Sequence, residues 1–208
     1  MEKSTHLYIL RHAETALNRQ GILQGSSIDA DLNEYGRRQS LAFYEHYQHI
    51  DFDLVVTSAL KRTHQTVAPF LEKGIDWHVT PDINEISWGE NEGKPTDARW
   101  KVIWEEVRDH WNAGNLHARM PGGESAAELN ARLERFLDWL KGREERHILI
   151  CTHGRSLRGL ISLMKGVSLA EMEGNPHTNT GCYVAQLREK RFHFLKENAT
   201  DHLSRLLE

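Results

Sequence analysis

The sequence is poor in cysteine and contains no long apolar run. Its 208 residues include two cysteines, Cys151 and Cys182, too few for the disulfide framework of a small secreted domain, so reduced core thiols are expected. No stretch approaches the roughly 20 apolar residues of a membrane-spanning helix. The first residues lead into a predicted strand without the apolar region of a signal peptide. These absences predict a cytoplasmic protein with no membrane partner.

An excess of positive charge is also lacking. Lys and Arg number 26 against 30 Asp and Glu, and the formal net charge is -4, whereas a general nucleic-acid binder normally carries surplus Lys and Arg. We therefore expect no nucleic-acid partner, and any anion site must be a local concentration of basic side chains. Hydrophobic residues at 39% and charged residues at 27% are ordinary for a globular protein, and the length predicts one domain over residues 1–208.

Short apolar runs alternate with segments of helical spacing. Residues 7–10, 54–57 and 148–151 are predicted to be buried strands, and residues 78–79 belong to a weaker one. Alternation of strand and helix is typical of an α/β sandwich. The sequence therefore predicts an α/β fold.

Start and stop signals frame the predicted helices. Ser125 with Glu128 three positions later forms a capping box that opens a helix to about Leu140, and Gly142 closes it. Apolar positions recur along this helix at three- and four-residue steps, so we expect it to pack on the sheet. Asn33 is predicted to cap another helix.

The segment of residues 86–125, rich in Gly, Asn and Trp, is interpreted as a lid inserted into the single domain. Within it, residues 98–111 have helical spacing and carry Trp100, Trp104 and Trp111 as an aromatic stripe. We interpret the stripe as part of the core.

Reactive or anion-binding side chains fall just past the ends of four predicted strands. They are Arg11 and His12, then Arg62, Glu85 and His153. The carboxyl edge of an open parallel sheet is where ligands bind, so these residues are expected to converge. Two arginines and two histidines favour a phosphate, because guanidinium groups match phosphate oxygens and imidazole can attack phosphorus or bind it.

Four groups of residues, in order along the chain, together resemble one known family. They are Leu10-Arg11-His12-Ala13-Glu14-Thr15 with Asn18 and Gln24-Gly25; Ser58-Ala59-Leu60-Lys61-Arg62-Thr63 with Gln65-Thr66; Asn84-Glu85-Ile86 with Gly89, Glu92 and Gly93; and Thr152-His153-Gly154. This series resembles the signature of the histidine phosphatase superfamily, which includes cofactor-dependent phosphoglycerate mutases, over roughly residues 6–187. The resemblance implies a phosphoglycerate mutase-like fold, a three-layer α/β/α sandwich with a mostly parallel central sheet and an inserted lid.

The resemblance also implies a role for each residue of the site. His12 would be the nucleophile that forms a phosphohistidine, Arg11 and Arg62 would hold the phosphoryl oxygens, and His153 would stabilise the transferring group. Glu85 would be the proton donor. Imidazole is substantially neutral at cellular pH, so it can attack phosphorus without a separate base. No metal and no cofactor are expected.

Four further residues are expected to bind substrate. Asn18, Gln24 and Gly25 match family positions near the phosphate, and Gly154 would let the backbone approach closely. One departure from the family pattern is Ala13, where many members have Gly, and the extra methyl group is a mild change.

Less specific interpretations stay open for several residues. Arg62 could be a solvated helix residue, and Glu85 could merely cap a turn. Glu124 could face the substrate or belong only to a turn and helix cap. Eleven histidines are interpreted as incidental core or surface residues: His6, His46, His49, His64, His78, His110, His117, His147, His177, His193 and His202.

Three functions are compatible with the sequence. The first is a phosphatase for small phosphorylated metabolites, of the alpha-ribazole or sugar phosphatase type, acting as a monomer or homodimer. The second is a phosphoglycerate mutase, and the third a non-catalytic phospholigand-binding protein. The 67 residues between Glu85 and His153 favour hydrolysis, because mutases resembling this chain tend to carry a longer insertion there. Arg155 also favours it, since mutases tend to have Asn at that position. The catalytic positions are intact, which counts against a mere binder.

Overall fold

A six-stranded sheet forms the centre of the protein, whose computed structural model describes residues 4–206. The sheet order is β3-β2-β4-β1-β5-β6. Strands β1 to β4 are mutually parallel, whereas β5 is antiparallel to β1 and β6. The mostly parallel sheet of the prediction is therefore confirmed. The strands are β1 (Thr5–Arg11), β2 (Leu54–Thr57), β3 (Asp76–Val79), β4 (His147–Thr152), β5 (Cys182–Arg188) and β6 (Arg191–Ala199).

Helices cover both faces of the sheet. They are α1 (Ala16–Arg19), α2 (Glu34–Tyr47), α3 (Lys61–Leu71), α4 (Ala98–Asn112), α5 (Ala126–Lys141) and α6 (Gly154–Lys165), with 3₁₀ turns at Pro81–Ile83, Gly89–Asn91, Leu169–Gly174 and Asp201–Leu206. None of these described helices is long and apolar enough to cross a membrane.

Two apolar clusters, one on each face of the sheet, make the fold a three-layer sandwich. Ile9 of β1 packs in one cluster with Leu133 of α5, whereas its neighbour Leu10 packs in the other with Phe43 of α2 and Phe70 of α3. Successive residues of a strand face opposite sides of the sheet, so one short apolar strand supplies both cores. The predicted three-layer α/β/α sandwich is confirmed.

The predicted helix caps are present. Ser125 and Glu128 form a reciprocal capping box at the start of α5, and Gly142 follows its last residue as the C-cap. The Asn33 side chain accepts a hydrogen bond of 2.7 Å from the Gly36 backbone N–H at the start of α2. The two N-caps, Ser125 and Asn33, satisfy N–H groups that have no partner within their helices.

The three tryptophans of α4 do not all lie in the core. Trp104 and Trp111 are buried in the core, and the Trp111 Nε1–H donates to the Ala118 carbonyl at 2.8 Å. Trp100 packs against the core but also lines a cleft at the carboxyl edge of the sheet. The core interpretation is confirmed for two of the three tryptophans.

The β5–β6 hairpin was not predicted from the sequence. Its turn residues Glu189 and Lys190 have φ values of 49° and 62°, which tight hairpins require but which Asn-Gly or Asp-Gly pairs normally supply. Without that signal, and with β6 alternating between exposed and half-buried residues, the hairpin is hard to distinguish from a polar loop.

Gly36 holds the first turn of α2 against the loop that follows β1. A Cβ atom at this position would collide with the backbone carbonyl of Glu14, a group that already accepts the Asn33 backbone N–H at 3.0 Å. We expect Gly36→Ala to lower the free energy of unfolding by about 1–3 kcal/mol, the usual penalty of overpacking. Activity should also fall, because the displaced Glu14 lies two residues after His12.

Urea denaturation of the wild type and two variants checks this expectation. Gly174→Ala is the matched control, because a Cβ there has no neighbour within 4 Å and should change stability by less than about 0.5 kcal/mol. Equal stability of Gly36→Ala and the wild type would contradict the assigned contact.

Candidate active site

Three strand ends bring the predicted residues together. Strands β2, β4 and β1 lie side by side, and Arg11 at the end of β1 is paired with Thr152 at the end of β4. His12 follows β1, His153 follows β4, and Arg62 lies in the first turn of α3 after β2. The centres of the His12 and His153 imidazole rings are 5.2 Å apart. The expected convergence at the carboxyl edge of the sheet is observed.

His12 is buried and held in one orientation. Its Nδ1 lies 2.7 Å from the Ala13 carbonyl oxygen, and only an N–H can make that contact, so Nε2 keeps a free lone pair. Burial lowers the pKa of His12 well below 6.5, and the nearby Arg62 and Arg11 charges lower it further. The ring is therefore neutral at cellular pH and able to act as a nucleophile through Nε2.

Backbone contacts fix the segment that carries His12. The His12 N–H donates to the Thr152 carbonyl at 2.8 Å, and its own carbonyl accepts from Asn179 Nδ2 at 2.8 Å. Thr180, with a φ of 57°, donates its N–H to the Arg11 carbonyl at 3.0 Å. Sequence reasoning missed Asn179 and Thr180, because neither is chemically reactive.

Arg62 is completely buried, which excludes the interpretation of a solvated helix residue. Its Nη1 and Nη2 donate to the carbonyls of Ile28 and Gly25 at 2.6 and 3.2 Å, and its Nε donates to His153 Nδ1 at 3.1 Å. His153 Nε2 lies 2.7 Å from Ser58 Oγ. Because both of its ring nitrogens are engaged, His153 here orients Arg62 rather than presenting a free N–H to a phosphate.

Gly25 lies beneath the site as the carbonyl partner of Arg62. A Cβ at this position would collide with the Glu92 carboxylate and approach the Ile86 carbonyl oxygen to 2.8 Å. Glycine is required there because the loop passes so close to its neighbours. Gly25 thus shapes the site rather than lining it.

Arg11 lies beside an unpredicted partner, His177. Arg11 Nη1 donates to His177 Nδ1 at 3.2 Å, and Arg11 Nε is buried with no partner in the described residues. Burial and then the Arg11 charge lower the pKa of His177 to about 3, which keeps it a neutral acceptor. A Cβ on Gly154 would lie 3.1 Å from the His177 ring. Interpreting His177 as incidental was wrong, and no motif in the sequence identified it.

Glu85 is anchored at the start of α6. Its Oε1 accepts the backbone N–H groups of Ile86, Arg155 and Ser156 at 3.0, 3.1 and 3.1 Å, whereas Oε2 only shares the Arg155 N–H at 3.2 Å. Oε2 therefore has fewer hydrogen-bond partners than Oε1. A carboxylate that reaches from the loop after Pro81–Ile83 to another helix does more than cap its own turn.

Asn18 and Gln24 line the site through a shared scaffold. Asn18 forms a capping box with Thr15, and Gln24 Nε2 donates to Thr15 Oγ1 at 2.8 Å. The Gln24 Oε1 atom is buried and has no partner within the described chain. Both residues contribute to the wall of the cleft.

A cleft of about 250 Å³ joins these groups. Predicted residues on its walls are Arg11, His12, Asn18, Gln24, Glu85 and Gly154, and the unpredicted ones are Gly21, Ile22, Leu23, Trp88, Thr96, Trp100, Arg155 and His177. Arg62, His153 and Gly25 do not line it. Glu124 also stays outside the cleft and pairs with Arg132 at 2.6 Å. A wider depression of about 560 Å³ beside α2 contains none of the predicted residues.

The geometry of His12 predicts its tautomer. We expect long-range ¹H–¹⁵N NMR of the free protein to show His12 protonated on Nδ1, and to show no protonation of Nε2 as the pH falls from 7 through 6.5, since the pKa is lowered. His12→Asn assigns the signal by removing it. A signal from the Nε2–H tautomer, or a midpoint near 6.5, would contradict the structure.

Comparison with known proteins places the chain in a family. The profile of the histidine phosphatase superfamily (branch 1) matches residues 7–200. Phosphoserine phosphatase 1 of Hydrogenobacter thermophilus is 28% identical, covering 95% of this chain and 93% of that protein. A probable phosphoglycerate mutase of Yersinia pestis is 31% identical over 77% and 75%. The crystal structure of the alpha-ribazole phosphatase from Shigella flexneri is similar with a TM-score of 0.82 and 25% identity, covering 94% and 96%. With its profile match spanning almost the whole described chain, this protein belongs to the histidine phosphatase superfamily, branch 1.

Proposed function

We propose that this enzyme is a metal-independent phosphatase that hydrolyses small phosphate monoesters through a phosphohistidine on His12. One observation carries the proposal: His12 is neutral, its Nδ1–H is bonded to the Ala13 carbonyl, and its Nε2 lone pair is free beside two arginines. A nucleophile next to fixed positive charge suits phosphoryl transfer, because the charge already complements the equatorial oxygens of the transition state.

In the first step, Nε2 of His12 attacks phosphorus while the bond to the ester oxygen breaks. Arg11 binds the non-bridging oxygens through its buried Nε, which has no partner in the described residues, and the buried Arg62 guanidinium adds its positive charge beside His12. His153 acts as a positioning residue through its bond to Arg62 Nε. Asn18 and Gln24 complete the phosphate pocket from the cleft wall.

Glu85 moves the proton in both steps. Its protonated Oε2 gives a proton to the departing ester oxygen, so the leaving group departs as an alcohol. The resulting carboxylate then takes a proton from the water that attacks phosphohistidine, which breaks the phosphorus–nitrogen bond and releases inorganic phosphate. Glu85 ends the cycle protonated and His12 ends it neutral.

Hydrolysis rather than isomerisation is supported by the lid. We treat residues 86–125 as a lid within one domain over residues 1–208, since Trp88, Thr96 and Trp100 from this segment line the cleft. This segment is shorter than the insertion that mutases of the family tend to carry. A mutase must keep water away from the phosphohistidine while its intermediate reorients, so a short lid favours hydrolysis. Arg155 adds a cation to the cleft wall where mutases of this family tend to have a neutral amide.

The substrate is proposed to be a small phosphorylated metabolite. A cleft of about 250 Å³ lies below the roughly 300–1,000 Å³ of drug-sized sites. Alpha-ribazole phosphate is one candidate, supported by the similarity to the Shigella enzyme, and a sugar phosphate is another. Cys151 and Cys182 are buried free thiols, which supports the proposed cytoplasmic location.

Trapping the intermediate tests the mechanism. Brief incubation with ³²P-labelled substrate in EDTA, followed by denaturation, should leave an acid-labile, base-stable label on the wild type and none on His12→Asn. His49→Asn is the control, because His49 is exposed and should label normally.

Three outcomes would contradict this mechanism. Loss of labelling in EDTA with rescue by Mg²⁺ would refute metal independence. Turnover of His12→Asn near the wild-type rate would refute the nucleophile. Rapid interconversion of 3- and 2-phosphoglycerate with catalytic 2,3-bisphosphoglycerate would identify a mutase.

Replacing the proposed acid should have an effect that depends on the leaving group. Glu85→Gln keeps the shape of the side chain but cannot supply the proton, so we expect kcat/KM for an alkyl phosphate to fall about 10²- to 10⁴-fold. The loss on p-nitrophenyl phosphate should be much smaller, because nitrophenolate leaves without protonation. Glu90→Gln, an exposed lid residue, is the control. Equal losses on both substrates would mean that Glu85 only shapes the pocket.

A further inference from the structure

Arg155 is a cation on the cleft wall that the phosphoryl transfer itself does not use. Its side chain is 12% exposed, and it lines the same cleft as His12. The guanidinium carbon lies 4.5 Å from the centre of the Trp104 ring and 5.8 Å from that of Trp88. Among the described residues, Glu173 is the carboxylate with which the side chain pairs.

The charge of Arg155 is only partly neutralised. Glu173 pairs with Arg155 through one oxygen and with Arg158 through the other. One carboxylate thus pairs with two guanidinium groups, so the side chains of Arg155, Arg158 and Glu173 together carry a net positive charge. Such a charge away from bulk water attracts an anion more strongly than an exposed one.

The position of Arg155 relative to Glu85 indicates which part of a substrate it meets. In the proposed mechanism, Glu85 contacts the ester oxygen of the leaving group. The Arg155 backbone N–H holds that carboxyl group at 3.1 and 3.2 Å. The Arg155 side chain lines the same cleft as Glu85, so in that mechanism it faces the leaving part of the substrate, with the Trp88 ring 5.8 Å away.

We infer that Arg155 is a specificity-determining residue that binds a second anionic group, a carboxylate or a further phosphate, in the leaving part of the substrate. The inference rests on the proposed phosphatase function and names the substrate class for it. A residue that merely clamped the lid through Trp88 and Trp104 would affect charged and uncharged substrates alike.

Matched substrate pairs separate these roles. 3-Phosphoglycerate and glycerol 3-phosphate differ by a carboxylate in place of a hydroxymethyl group, and phosphoserine and phosphoethanolamine differ by a carboxylate. Fructose 1,6-bisphosphate and fructose 6-phosphate differ by a second phosphate. We expect kcat/KM to favour the more anionic member of the carboxylate pairs or of the bisphosphate pair by about ten- to a hundredfold, the range of a charge-assisted hydrogen bond.

Variants should move this preference in opposite directions. Arg155→Met keeps an apolar stem against the tryptophans but removes the charge, so the ratio within a pair should fall towards one. Glu173→Gln removes the competing carboxylate, so the ratio should rise. Arg99→Met is the control, because Arg99 is an exposed arginine of α4, the helix that carries Trp104, and it should leave the ratio at the wild-type value.

Turnover of p-nitrophenyl phosphate is measured in parallel for every variant. If the wild type hydrolyses it but shows no preference in any pair, the inference is wrong while the phosphatase function stands. An unchanged ratio in both Arg155→Met and Glu173→Gln would also overturn the inference. If Arg155→Met does not fold, the rise expected in Glu173→Gln still decides. Absence of turnover on every phosphate ester would refute the proposed function itself.

Discussion

The burial of the Arg62 guanidinium is the constraint on which the rest of the site depends. An ionised group away from water destabilises the fold by several kcal/mol unless its donors are satisfied. Arg62 meets this requirement with the carbonyls of Gly25 and Ile28 and with His153. Those bonds join the loop before α2 to α3 and to the start of α6. Because these hydrogen-bond partners are neutral, none of them cancels the positive charge of Arg62.

Burial and the same positive charge determine the protonation state of the two histidines. Burial, followed by the Arg62 charge, lowers the pKa of both His12 and His153 well below 6.5. A histidine whose pKa is lowered by folding binds fewer protons in the native state than in the unfolded one at the same pH. Its contribution to stability is thus complete above pH 6.5 and is lost as the pH falls towards the folded pKa. The neutral His12 imidazole at cellular pH and the sensitivity of the fold to acid thus have one origin in this site.

The sequence predicted the parts of the site that depend on strand ends, and missed the parts that depend on loops packed from elsewhere. His12, Arg62 and His153 each follow a strand whose apolar run is readable, so their convergence could be anticipated. His177 and Asn179 precede β5, whose hairpin partner β6 turns at Glu189 and Lys190 without a recognisable turn pair. The position of β5 beside β1 could therefore not be predicted from the sequence. The contacts of His177 with Arg11 and of Asn179 with the His12 carbonyl depend on that position and could not be predicted either. Gly25 was assigned to substrate binding, but its contacts make it a support for Arg62.

The residues at the two ends of the cleft are positioned by different interactions. This difference explains why the sequence predicted the phosphate-binding residues more easily than the residues that choose the substrate. At the phosphoryl end, side chains are fixed by sheet register and by a buried charge, and the residue types themselves indicate phosphate. At the other end, the walls come from α4 and the loop before it, where helical spacing alone does not distinguish Trp104 in the core from Trp100 on the cleft. Arg155 belongs to both ends: its backbone N–H is fixed by α6 and holds Glu85, while its side chain rests on the tryptophans of the lid. In the proposed mechanism, this single residue links the proton donor Glu85 to the surface that meets the leaving group, which couples the choice of substrate to the delivery of the proton.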